Sequence, residues 1–159
     1  MDDVGEHGAG AAGLQRVSTP LEPTAWHGHA VETFWAAPLG KGRFQLRNVP
    51  FYAKGLSYND TVSAQHSEGR LVFTGLVARG GHSTYRVVLS DPPKEMWRRF
   101  WSRLQELGCT YERGTEHLVA IDVPPEANIH SVYRILEEGE KAAVWDFEEG
   151  HCGHAVDGR

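Results

Sequence analysis

Two cysteines, Cys109 and Cys152, are all that this 159-residue chain offers for disulfide formation. That is too few to staple a secreted scaffold, and a reducing cytoplasm is the expected setting. The chain also lacks the run of roughly 20 apolar residues needed to cross a bilayer. Its start, Met1-Asp2-Asp3-Val4-Gly5-Glu6-His7, has neither the basic residues nor the apolar stretch of a signal peptide. A basic surplus is missing as well: 16 Lys and Arg face 21 Asp and Glu, a net charge of −5 that opposes binding to phosphate backbones. Nucleic acid is therefore set aside as a partner. What the chain does have is an interior: 40% apolar residues, with five Trp, five Tyr and six Phe, argue against global disorder.

Residues 1–24 carry Gly, Ala, Ser18, Thr19, Pro20 and Pro23 with scarcely a large apolar group, and read as a disordered tail. Over residues 25–80 the pattern changes. Glu32 to Ala37 and Arg43 to Val49 are strand-like runs joined by the turn Pro38-Leu39-Gly40-Lys41-Gly42, and Thr61 to Gln65 and Arg70 to Ala78 form a second such pair. Short strands without helical period predict a small antiparallel sheet or partial barrel, too thin to stand alone and so packed on the second half of the chain.

Residues 81–154 predict strand, helix, strand, strand, helix, strand. Ser83 to Leu89 alternates, Asp91-Pro92-Pro93 supplies an N-cap and an opening proline, and Met96, Trp97, Phe100, Trp101, Leu104 and Leu107 recur at helical spacing up to Gly108. Cys109 to Arg113 and His117 to Val123 form a hairpin. A second helix runs from about Glu126 to Glu138, burying Ile129, Val132, Tyr133 and Leu136; Gly139 closes it before a strand from Ala142 to Glu148. Residues 155–159 are expected to be a flexible terminus. The fold class is thus α+β, with a small β unit on a ferredoxin-like βαββαβ sandwich.

In that arrangement the first and last strands of the sandwich are neighbours and antiparallel. His82, Ser83 and Thr84 should then lie near His151, Cys152 and His154, with Pro124 to His130 reaching the same pole. Helices cover one face, leaving Arg86, Asp122, Asp146 and Glu148 on the other. RNA-binding sheets of similar topology show aromatic rings there, the opposite of an acidic array. Arg86 among carboxylates is either an ion network buried between the halves or a preorganised site for a polar ligand.

The stretch Glu148-Glu149-Gly150-His151-Cys152-Gly153-His154 holds five donor side chains that a transition metal such as zinc would accept, with His82 as a further ligand. The competing reading is a polar strap whose histidines bond backbone carbonyls. Cys152 between two histidines could be an activated thiolate, whereas Cys109 reads as a small buried side chain. His27 and His29 make a sparse imidazole pair to which no role is assigned.

Phe34-Trp35-Ala36-Ala37-Pro38-Leu39-Gly40, Asn48-Val49-Pro50-Phe51-Tyr52-Ala53, Gly80 to Arg86, Ala120-Ile121-Asp122-Val123-Pro124-Pro125 and Trp145 to His154 together resemble the bacterial domain-of-unknown-function family 4265 (DUF4265). The likeness spans about Val31 to His154 and departs from the family at Tyr58-Asn59-Asp60, where a Gly-Asp turn is usual. It implies a bacterial protein and no mechanism. The chain is accordingly read as a cytoplasmic binding or regulatory module for a polar ligand or partner protein, using His82, Ser83, Arg86, Asp122, Asp146 and Glu148. The alternatives are a small enzyme, metal-dependent through His82, His151, Cys152 and His154 or using His and Cys directly, and an immunity-type interaction protein meeting a basic partner.

Overall fold

Apolar side chains at every second position build the first half. The computed structural model describes residues 13–22 and 24–156. Five strands, β1 (Gln15–Pro20), β2 (Val31–Gly40), β3 (Arg43–Leu46), β4 (Thr61–Ser67) and β5 (Arg70–Ala78), form a closed barrel in that order. Val17, Phe34, Ala36, Phe44, Leu46, Val62 and Ala64 share its core, because period two sends alternate residues to one face. Chain neighbours pair antiparallel. Closure comes from β1 running parallel to β5 at Val17↔Leu71 and Ser18↔Val72.

That closure corrects two expectations. The first sheet is not wholly antiparallel, and the disordered tail fails at Gln15–Pro20, which is a strand. Val17 is fully buried there, and β1 finds backbone partners on both sides. One valine among Ser, Thr and Pro gives almost no hydrophobic signal, so only the tertiary pairing reveals it. Residues 1–12 of the expected tail and 157–159 of the expected flexible end lie outside the described residues. Val156, just before the latter, packs on the second core.

The second half is β6 (Ser83–Leu89), α1 (Lys94–Glu106), β7 (Thr110–Arg113), β8 (Leu118–Val123), α2 (Ile129–Lys141) and β9 (Trp145–His151). Its sheet has the order β7-β8-β6-β9 with every neighbour antiparallel. Tyr85, Val87, Val119, Ile121 and Trp145 meet Phe100 and Leu104 of α1 and Val132, Ile135 and Leu136 of α2 in one core.

Three local details differ from expectation. α1 has Pro93 as N-cap with no side-chain cap bond. Asp91 instead sits at φ +49° and accepts from His117 Nε2 at 2.9 Å. Gly139 does not end α2 but lies buried inside it, where an added Cβ would fall 2.5 Å from the Trp145 indole. Tyr133 is 43% exposed, and Ile135 takes the buried place that the spacing gave it. The true α2 cap is Asn128, whose Oδ1 accepts from Ser131 N at 3.0 Å.

Candidate functional site

Strand register lays out the open face of the second sheet in rows. Thr84 stands beside Asp122 and His151, Arg86 beside Ala120 and Glu148, and Val88 beside Leu118 and Asp146. The barrel covers the first two rows. Thr84 Oγ1 donates to Ser57 Oγ at 2.8 Å, and Ala120 packs with Val49 and Tyr58. Glu112 accepts from Val49 N at 2.8 Å and from Asn48 Nδ2 at 3.1 Å. Burial pushes the Glu112 carboxyl up to about 7 despite those two bonds, with Asp122 and Glu32 adding repulsion.

At the pole, the segments converge as expected while their rings take separate partners. His82 Nδ1 faces both oxygens of Asp122, at 2.8 and 3.0 Å, and its ring meets Tyr58 edge-on. His154 is held at both nitrogens, by Ser83 Oγ at 2.6 Å and by the Pro124 carbonyl at 2.8 Å. Gly153 N donates to the same Ser83 oxygen, and a Cβ on Gly153 would lie 2.4 Å from the His82 carbonyl. Cys152 Sγ contacts the His154 carbonyl at 3.6 Å and packs on the second core. His151 is part-buried; desolvation, followed by the charge of Arg79, holds its imidazole below the ordinary value. Among the described residues no three His, Cys, Asp or Glu form a group that could hold a metal. The expected metal set of His82, His151, Cys152 and His154 is thus not assembled among the described residues: the His82 ring turns to Asp122, and His154 uses both nitrogens to fasten the strap to Ser83 and Pro124. The Cys152 thiol bonds the His154 carbonyl and not its ring, whose two nitrogens are taken by Ser83 and Pro124. Cys109 is buried, as expected, and its thiol is pushed up to about 12, chiefly by desolvation.

Arg86 is the unusual residue of the second row. It is 1% exposed, and its Nη2 donates to the Ala53 carbonyl at 2.8 Å. Glu148 Oε1 lies 3.5 Å from Nε, near enough for charge attraction but without a hydrogen bond. Desolvation pulls the guanidinium pKa down, while Glu148 and then Glu32 push it back up. Of the expected carboxylate ring only Glu148 meets Arg86; Asp122 turns to His82, and Asp146 stands one row on, exposed. Glu32 supports the arrangement by accepting from the backbone N–H of Phe51, Tyr52 and Ala53 at 2.6, 3.0 and 2.8 Å, which fixes the carbonyl that Arg86 uses. A bulge in the β6–β9 pairing puts Gly150 under the guanidinium, where a Cβ would come within 2.3 Å of Nη1.

Where the barrel stops, the third row is left uncovered. A cavity of about 180 Å³ there is lined by Trp26, Arg86, Val88, Leu118, Asp146, Phe147 and Glu148. Arg86 Nε and Nη1 and Glu148 Oε1 are buried with no hydrogen-bond partner. Sequence reasoning found Arg86, Asp146 and Glu148 from strand alternation, but missed Trp26, Glu32 and Glu112. Glu32 left a signal: it shares the inward phase of Phe34 and Ala36, where a carboxylate must have partners. Trp26 left none, since a loop residue has no period.

The family model described as "Domain of unknown function (DUF4265)" matches residues 32–147. Among solved structures, the fold resembles that of a hypothetical protein from Neisseria gonorrhoeae, with a TM-score of 0.76 and 20% identity over 89% of this chain and 97% of that one. At that identity the likeness shows the fold alone. No curated protein matches.

Proposed function

This chain belongs to the DUF4265 family, and from the geometry of its uncovered third row we propose that it is a small-ligand binding protein. The ligand is a compact zwitterion of the α-amino acid class. Its carboxylate would be drawn to the Arg86 guanidinium, its ammonium would lie between Glu148 and Asp146, and its side chain would rest on Trp26, Val88 and Leu118. The observation that carries this reading is a nearly fully buried guanidinium with two nitrogens that make no hydrogen bond, ion-paired at 3.5 Å to a carboxylate oxygen that makes none either, all on residues lining one cavity. Buried charges are ordinarily paired and hydrogen-bonded, and groups left short are where a bound molecule completes the set. A volume of about 180 Å³ suits a molecule of amino acid size.

The supporting body is read as a ferredoxin-like sandwich with a barrel docked on its open face; the order β7-β8-β6-β9 supports that reading. Two free cysteines support a cytoplasmic setting. Calorimetry and thermal unfolding with the individual amino acids, and with acetate and methylamine as single-charge controls, test the proposal. At a hundredfold excess over Kd, a fitting amino acid stabilises by about 2.7 kcal/mol and raises Tm by roughly 5–10 °C. Glu148→Gln and Asp146→Asn should each weaken binding at least about tenfold. No response to any amino acid, or one that ignores both substitutions, overturns it.

A further inference from the structure

The barrel has an opening of its own, apart from the Arg86 cavity. β1 and β5 pair only at Val17↔Leu71 and Ser18↔Val72, and beyond those residues the strands part. A cavity of about 450 Å³ lies in the gap, between Thr19 and Pro20 on one side and Phe73 and Leu76 on the other, with Leu21, Leu56 and Tyr52 completing apolar walls. Leu76 is 41% exposed and Trp26, which also lines it, 59%. Such a lining has the size and character of a small-molecule site rather than of a packed barrel end.

A second, independent observation points to a ligand. Thr19 is 6% exposed, and its Oγ1 is buried without a hydrogen-bond partner. Thr19 occupies the inward phase of β1, two residues after Val17, so its hydroxyl belongs to the side from which the cavity opens. A buried hydroxyl left unpaired is unfavourable because its lost hydration is not replaced, and a ligand oxygen would replace it.

Charge selects the kind of oxygen. Lys54 and Arg79 line the cavity, the latter 42% exposed and anchored through Nη1 to Asp60 at 3.1 Å and to the Gly55 carbonyl. Glu22, the acidic group of the lining, already accepts from Thr24 N and Oγ1 at 3.2 and 2.8 Å. The cavity therefore presents apolar walls, an unpaired Thr19 hydroxyl and two cations, of which Arg79 is already paired with Asp60 and Lys54 makes no such ion pair among the described residues, while Glu22 is occupied by Thr24.

We propose that this opening is a second binding site, for an amphipathic monocarboxylate whose apolar body fills the gap between β1 and β5 and whose carboxylate meets Thr19 and Lys54. The site is independent of the amino acid reading for Arg86, with only Trp26 common to both.

A homologous series of straight-chain carboxylates from butanoate to decanoate tests it on the full chain, with 3-phenylpropanoate as an aromatic arm and alkylammonium ions of equal length as sign controls. Affinity should rise about three- to fourfold per methylene until the gap is full, and alkylammonium ions should bind at least about tenfold more weakly. Thr19→Val, which keeps shape while removing the hydroxyl, should weaken the best carboxylate about five- to tenfold, and Lys54→Ala by a similar factor. Glu148→Gln should leave carboxylate binding unchanged, which separates this site from the Arg86 cavity. Preference for 3-phenylpropanoate over the alkyl series would assign an aromatic acid, and the reverse a fatty acid. Affinity without chain-length dependence, equal binding of alkylammonium ions, or an indifferent Thr19→Val overturns the proposal.

Discussion

At the scale of single residues, Glu112 is where burial and charge compete most openly. Its carboxyl titrates near 7 in the folded protein, against 4.5 ordinarily, because desolvation outweighs the bonds from Val49 and Asn48. A raised folded value means that the native state holds its proton more tightly. The stability from Glu112 is therefore complete below pH 4.5 and is lost as pH rises towards 7, a change of about 3 kcal/mol. Glu112→Gln keeps an acceptor for Val49 and carries no titration. Denaturant unfolding at pH 5 and pH 8 should show the variant gaining about that much on the native protein between the two values. Parallel stability curves would mean that the carboxylate is better solvated than its 8% exposure implies. Arg86 obeys the same competition with the opposite sign, burial lowering its value and Glu148 restoring part of it.

Among the elements, α2 and β9 show how one contact overrides propensity. Glycine inside a helix costs about 1 kcal/mol relative to alanine, so Gly139→Ala in an isolated helix would be a gain. Here the Trp145 ring lies against the glycine, and Trp145 Nε1 donates to the Leu136 carbonyl at 3.0 Å, so the indole cannot retreat without losing that bond. Gly139→Ala is expected to lose about 2 kcal/mol net through overpacking and to lower Tm by roughly 4–8 °C. A stabilised variant would show that the indole moves freely. The same contact explains why glycine was a poor helix stop in the sequence: its lack of a side chain serves packing here, and the cap lies further on, at Ala142.

For the molecule as a whole, the seam decides how the halves behave. Val49, Tyr58 and Ala120 form an apolar patch across it, flanked by the Glu112, Arg86 and Thr84 bonds to barrel loops. A barrel alone would expose that patch, and a sandwich alone would expose Arg86 and Glu112 without their backbone partners. Thermal unfolding followed by near-ultraviolet and far-ultraviolet circular dichroism should therefore show one coincident transition. Gly114→Val, which places side-chain atoms where Phe51 now lies within 2.8 Å of a bare Cβ position, should lower that single transition rather than split it. Two separated transitions would make the halves independent units.

Alternation of side chains determined eight of the strands and helical spacing determined both helices, because period two and period 3.6 are local properties that each segment carries unaided. The same alternation put Arg86, Asp146 and Glu148 on one face. Only the tertiary structure made a strand of Gln15–Pro20, closed the barrel, sent Asp122 to His82 rather than to Arg86 and brought Trp26 over the third row. Each of those depends on a partner distant along the chain, and a hydrogen bond or a packed ring leaves no periodic mark on the residues that make it.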